Sequence, residues 1–149
     1  MDTIALRFSD NIAPEGGTIK THDTIIKEKG YVWYGKFGSS ISSSVREKVL
    51  RSENPRILLI HSGTNRRYWA YISAISNSPP AKEEYPAYYH NQEERCGSWF
   101  KITKFEKASP EVMSKCFVKS SGTILSNASR HSMSPYFFIS YGEDNYAEQ

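Results

Sequence analysis

Apolar and polar positions along the chain change period several times, and each change marks an element. "TIALRF" (3–8) alternates and predicts a first strand. "SDNIAPEGG" is polar and carries Pro14, Gly16 and Gly17, the composition of a loop. Over 18–30 the period lengthens: Ile19, His22, Ile25 and Ile26 fall on one face at helical spacing. Thr18 or Thr21 can cap this helix, Lys27 and Lys29 suit its C-terminus, and Gly30 stops it. "GYVWYGKFG" (30–38) returns to the strand period. It sets Tyr31, Trp33 and Phe37 on one face and Val32, Tyr34 and Lys36 on the other. Tyr31 or Val32 is expected to face the core, and Trp33 or Tyr34 to line a pocket. "GSSISSS" is a loop. "SVREKVLRS" is a short helix, with Ser44 and Glu47 at capping-box spacing and Pro55 beyond its end.

The second half holds more strands. "RILLIHS" (56–62) is a nearly continuous apolar run and predicts a central strand. "GTNRR" turns the chain into "RYWAYISAIS" (67–76), the next strand. A loop of about twenty residues with three prolines follows, a length that marks function or mobility in a compact domain. "SWFKITKFEKA" (98–108) alternates as a strand. Ser109 and Pro110 open a predicted helix over "SPEVMSKCFVKS". "GTILSNASRHSMS" is expected as a loop or broken turn, and "PYFFIS" (135–140) as the last strand. The fold class expected is therefore α+β: a small, strongly curved mixed β-sheet or open β-barrel with short helices packed outside. One domain is expected over 1–141. The remaining 142–149 reads as a polar tail or the start of a linker.

Composition changes this picture little. The 149 residues match the commonest single-domain size. Nineteen Lys and Arg against sixteen Asp and Glu leave a net charge of +3, which permits a nucleic-acid partner without arguing for one. Cys96 and Cys116 form no Cys-x-x-Cys and have no His at zinc-ligand spacing, so two free thiols and no metal are expected. No signal peptide or membrane span is visible, and a cytoplasmic location is expected. No phosphate loop, no Gly-x-Gly-x-x-Gly and no Gly-x-Ser-x-Gly elbow is present. The four histidines fit no catalytic pattern, and Glu83, Glu84, Glu93 and Glu94 read as solvated loop charges. The expectation is a protein that is not an enzyme and uses no cofactor.

The aromatics carry the candidate chemistry. They make up 13% of the chain, with ten Tyr and three Trp. Trp33, Trp69 and Trp99 lie on three different predicted strands, and Tyr85, Tyr88 and Tyr89 in the long loop. Lys36, Arg66, Arg67, Lys101, Lys104 and Arg130 are interleaved with them. Flat rings stack on bases, worth about 1–3 kcal/mol per base in single-stranded complexes. A flipped base is held between similar walls. The competing reading is that the tryptophans fill the core, as large aromatics commonly do.

In order and spacing, "GYVWYGKFG", "RILLIHS", "RRYWAYISAIS", "YPAYYHN…SWFKITKFEKA" and "SRHSMSPYFFIS" resemble the PUA-like superfamily, nearest its EVE and YTH branch. The likeness spans roughly 30–140 and departs from the EVE pattern in the first strand. It implies a small barrel that holds a modified, methylated base in an aromatic cage, flipped from DNA ahead of RNA. It also implies the specificity domain of a prokaryotic defence or restriction protein, with a motor or nuclease in further domains or subunits. The cage expected is Trp33, Tyr34, Trp69, Tyr89 and Trp99. Base-edge or phosphate contacts are expected from His61, Ser62, Asn65, Arg66 and Arg67, and from Ser126, Asn127, Ser129 and Arg130. The alternative reading is a small-ligand or protein-interaction domain using the same pocket. A third, a nuclease, would need clustered acids and a metal, and the chain shows no such cluster.

Overall fold

The structure is a computed structural model that describes residues 1–11, 13, 16–132 and 134–142. Pro14 of the expected loop and the tail 143–149 lie outside the described residues. Seven strands form one mixed sheet: β1 (Asp2–Phe8), β2 (Val32–Phe37), β3 (Arg56–His61), β4 (Arg67–Ser76), β5 (Cys96–Lys107), β6 (Cys116–Val118) and β7 (Tyr136–Tyr141). Their order is β2-β5-β4-β3-β1-β7-β6. Only β1 and β3 pair in parallel; every other neighbour is antiparallel. The sheet is not closed, because β2 and β6 end it without pairing to each other.

Strand alternation sorts side chains onto two faces. Ile4, Leu6, Val32, Tyr34, Ile57, Leu59, Ala70, Ile72, Phe100 and Ile102 share one buried cluster. Helices α1 (Gly17–Lys29) and α2 (Ser43–Arg51) cover it with Ile19, Ile25, Ile26 and Val49. The alternate positions Ala5, Leu58, Ile60, Trp69, Phe137 and Ile139 form a second cluster. That cluster is sealed by α3 (Leu125–His131) through Leu125, and by the 3-10 turn Val112–Lys115. Val32 rather than Tyr31 supplies the core contact at the start of β2.

Three local expectations are corrected. No helix runs over 109–120. One 3-10 turn buries Val112 and Met113, and the chain then straightens so that Cys116–Val118 pair with β7. Pairing with β7 and burial of Cys116 and Val118 outweigh the Ser-Pro start signal. Within the expected loop at 122–134, Leu125–His131 form α3, whose Leu125 is fully buried. Finally, α2 is capped two residues earlier than expected, with Ser42 rather than Ser44 as the cap, accepting from the Val45 amide at 3.3 Å. Gly30 does end α1, in a left-handed conformation with its amide bonded to the Ile26 carbonyl at 2.7 Å.

The loop between β4 and β5 contains three short 3-10 turns: Lys82–Glu84, Ala87–Tyr89 and Glu93–Arg95. It returns along the free edge of β2, where the Gly38 amide donates to the Arg95 carbonyl at 2.9 Å. Here two backbones touch. A Cβ on Gly97 would stand 2.4 Å from the Gly38 carbonyl oxygen and 2.6 Å from the Ser40 nitrogen. Neither backbone atom can yield as a flexible side chain would. Gly97→Ala is therefore expected to lower unfolding free energy by about 3 kcal/mol, read from the urea midpoint. A change under about 0.5 kcal/mol would show that this approach is loose.

Candidate base-binding cavity

The site is built from the end of β1 outward. Past Phe8 the chain reaches Asp10, whose two carboxylate oxygens do separate work. Oδ1 accepts from the Thr18 amide at 2.9 Å, and Oδ2 accepts from His61 Nε2 at 2.7 Å. The Thr18 amide first, and His61 after it, hold this carboxyl below its usual range against the opposing effect of burial. The first turn of α1 is thus capped by a residue outside the helix. The Thr18 and Thr21 hydroxyls instead donate to the Ser9 and Gly17 carbonyls. Gly17, at φ +90°, makes the approach possible, since a Cβ there would crowd Asp10 Oδ1 at 3.1 Å.

On α1, one turn from this cap, His22 is fully buried. Its Nδ1 donates to the Thr18 carbonyl at 2.8 Å, and Nε2 faces the Tyr89 hydroxyl at 3.5 Å. The rings of Tyr34, Tyr89 and Tyr88 surround it at 5.0, 5.8 and 6.2 Å. Burial lowers its pKa to about 4, so the ring is neutral at pH 7. The Tyr89 hydroxyl also donates to the Gly35 carbonyl on β2 at 3.3 Å. This bond fastens the long loop over the strand's free edge.

β1, β2 and this loop enclose a cavity of about 360 Å³. Phe8, Tyr34, Phe37, Tyr88 and Tyr89 give it aromatic walls. Lys36 and Arg95 give it cations, Arg7 lines it with its guanidinium turned to Ser129, Ser132 and Phe137 on the other face of the sheet, and none of the described residues lining it is acidic. Strand alternation alone would send Lys36 and Phe37 to opposite faces. A register shift between them lets both line the cavity, as bulges beside binding sites commonly do. Lys36 is 4% exposed. Its ammonium donates to the Ser39 carbonyl at 2.7 Å and the Phe37 carbonyl at 3.3 Å, and lies 4.8 Å from the centre of the Tyr136 ring. Burial holds its pKa below the usual lysine value. Phe37, 37% exposed, stands at the cavity with the Arg95 guanidinium 5.8 Å above its ring.

The residues expected from the sequence divide among several places. Tyr34 and Tyr89 line this cavity. Trp99 lies behind it, fully buried against Tyr85 at 4.8 Å and Tyr89 at 5.3 Å. Trp33 is half-buried beside that cluster, with Nε1 donating to Glu84 at 3.3 Å. Trp69 is in the second core cluster, 4.9 Å from the Tyr141 ring, so the three tryptophans do not share a slot. None of the nine expected edge or phosphate residues lines the 360 Å³ cavity. His61 and Arg66 line a separate hollow of about 270 Å³ beside Asp10. Ser62 and Asn65 are exposed on the β3–β4 turn, and the Ser62 amide bonds to the Phe8 carbonyl. Arg67 is tied to that same turn through the Thr64 and Arg66 carbonyls. Arg130 bonds within α3 to Ser126 and Asn127. Two of them bond to lining residues without lining the cavity themselves: Ser62 to Phe8, and Ser129, whose carbonyl and hydroxyl accept from the Arg7 guanidinium at 2.6 and 3.2 Å.

Arg7, Phe8, Phe37 and Arg95 line the cavity without being expected there; Tyr88 is expected among the loop tyrosines but not in the cage, and Lys36 among the interleaved cations but not as a buried one. One signal was available for Lys36: it shares a strand face with Val32 and Tyr34, where a lysine is out of place. Cys96 and Cys116 are free and buried, with burial pushing the thiols up to about 11 and about 12. Among the described residues no cluster of His, Cys, Asp and Glu could hold a metal ion, and no helix is long and apolar enough to cross a membrane.

The Pua-like family model matches residues 4–136, and the chain belongs to that family. No curated protein and no solved structure matches it.

The neutral, buried His22 makes stability fall with acid. Its folded pKa of about 4 lies below the unfolded value of 6.5, so the unfolded chain binds the extra proton between them. The contribution is complete above pH 6.5 and is lost as pH drops towards 4. By pH 5 wild type should lose about 2 kcal/mol through this group relative to pH 7. Urea titrations of wild type and His22→Gln at both pH values check this. The variant should be less stable at pH 7 and lack that part of the slope. Equal slopes would mean that His22 is solvated.

Proposed function

We propose that this domain is a non-enzymatic nucleic-acid reader that takes one base, flipped out of DNA, into the 360 Å³ cavity. Membership of the Pua-like family supports nucleic acid as the class of partner. The observation that carries the finer reading is the composition of the wall: five aromatic rings and the cations Lys36 and Arg95, with no acid among the described lining residues. Rings hold a base by stacking, and cations hold its backbone. The volume lies at the low end of small-molecule sites, the size for one base rather than a run of them. A methyl group on the base adds about 0.8 kcal/mol by leaving water for such a wall. Discrimination beyond about tenfold then has to come from shape and from hydrogen bonds made to the base. The resemblance to base-reading specificity modules supports a place in a restriction or defence protein, with the motor and nuclease elsewhere.

The test is fluorescence-anisotropy binding to short duplexes and single strands, of DNA and of RNA, unmodified and methylated on cytosine or adenine, at two salt concentrations. A methylated DNA ligand is expected to bind tightest, with affinity falling as salt rises. Phe37→Ala and Tyr88→Ala each remove a wall ring and should weaken that ligand by about 1–3 kcal/mol, or roughly five- to 150-fold. Absence of binding to every member at low salt would sink the reading. The same pocket would then belong to a small ligand.

A further inference from the structure

Two cations, Lys36 and Arg95, face the cavity, and among the described residues each has only uncharged partners. The Arg7 guanidinium is turned to the other face of β1, where it donates to the Ser129 carbonyl and hydroxyl and to the Ser132 carbonyl and lies over Phe137. Arg95 donates to the Gln92 side-chain carbonyl at 2.9 Å. Lys36, almost wholly buried, has two backbone carbonyls and the face of Tyr136. Salt bridges found among the described residues lie elsewhere, on Lys27, His61 and Lys119. Burying an ammonium beside neutral oxygens is unfavourable, and an anion in the cavity would offset it. The pKa of Lys36, lowered by burial, agrees with that unmet demand.

The charge count separates two kinds of occupant. An internal nucleotide of a strand brings diester phosphates of one negative charge each, and these stay on the strand's path. A terminal phosphomonoester brings about −1.5 to −2 at neutral pH and three acceptor oxygens on one atom. Two cations with no acid among the described lining residues match the monoester's charge of about −1.5 to −2 better, and the Arg95 guanidinium fork suits its oxygens. The aromatic side of the cavity supplies the place for the attached base.

We infer that the cavity binds a nucleoside monophosphate unit, its base against Tyr34, Tyr88 and Tyr89 and its terminal phosphate against Lys36 and Arg95. The unit comes either as a free nucleotide or as the phosphorylated end of a strand. This uses the cavity of the proposed reader but does not require that the base be flipped from within a strand.

Isothermal titration of the full chain with nucleosides, nucleoside 5′-monophosphates and 3′-monophosphates, with inorganic phosphate alongside, tests it first. Short single strands with a 5′-phosphate, a 3′-phosphate or hydroxyl ends distinguish the strand end from the free nucleotide. At least one monophosphate should bind tenfold or more tightly than its nucleoside. Lys36→Met keeps the side-chain volume and should remove that preference. Arg95→Gln, on an exposed residue, should reduce it several-fold without moving the thermal midpoint. Equal affinity for nucleoside and monophosphate overturns the inference, and so does a preference that survives both substitutions. Methyl-dependent binding to strands with hydroxyl ends, without monophosphate binding, would overturn it and leave the reader standing. Monophosphate binding with no response to internal methylated bases would do the reverse.

Discussion

The structure depends on a sheet that curls but does not close. β1 and β2 are separated by three strands in the sheet order, yet both line one cavity, and Lys36 of β2 reaches the ring of Tyr136 on β7. Backbone pairing across that gap would have filled the space now lined by Tyr34 and Lys36. The unpaired edge of β2 has to be satisfied otherwise, because a bare edge invites other chains. The long loop does this with one hydroxyl-to-carbonyl bond from Tyr89 to Gly35 and one backbone bond at Gly38. The residues that protect the edge are also those that wall the cavity. Fold and site therefore answer one constraint.

Two groups hold this arrangement in place. Asp10 ties the end of β1, the start of α1 and the end of β3 through two bonds from one carboxylate. His22, one turn along α1, sets the three tyrosines around an uncharged ring. Each contact is modest, and hydrogen bonds to a charged group contribute about 1.5–3 kcal/mol. Their effect on binding is geometric. In the proposed reader, rings already fixed by neighbours would lose little freedom on taking a flat ligand, and that saving would appear as affinity.

Most strands were legible because their periods are local. β3, β4, β5 and β7 were all placed within about two residues, and Gly30 marked the end of α1. The failures share one physical origin. Ser109 and Pro110 are sound helix-start signals, but the chain after them is used to pair with β7. Leu125 nucleates α3 through burial in a cluster assembled from distant strands, in a segment of weak helix formers. α1 is capped by Asp10, seven residues before the helix begins, where no capping pattern would look. The site was harder still. Its walls come from β1, β2 and the loop after β4, and no local spacing joins Arg7 to Arg95. Turn residues such as Asn65 and Arg66 read as contacts because they are polar and exposed, features that also describe any hairpin tip.

The aromatics of "GYVWYGKFG" show why core and site were not real alternatives. Tyr34 does both: it packs with the inner core and faces the cavity. Behind the opposite wall the rings are layered. Trp99 is buried outright, Tyr89 packs on it at 5.3 Å, and Tyr89 in turn lines the cavity. Gly35 lies flat against the indole, since a Cβ there would come within 3.0 Å of Trp99. A tryptophan outside the cavity lining thus sets the plane and depth of a tyrosine within it. Rings used in this way have to be core residues first. Their precision as a binding wall derives from the same packing that makes them unexceptional in a core.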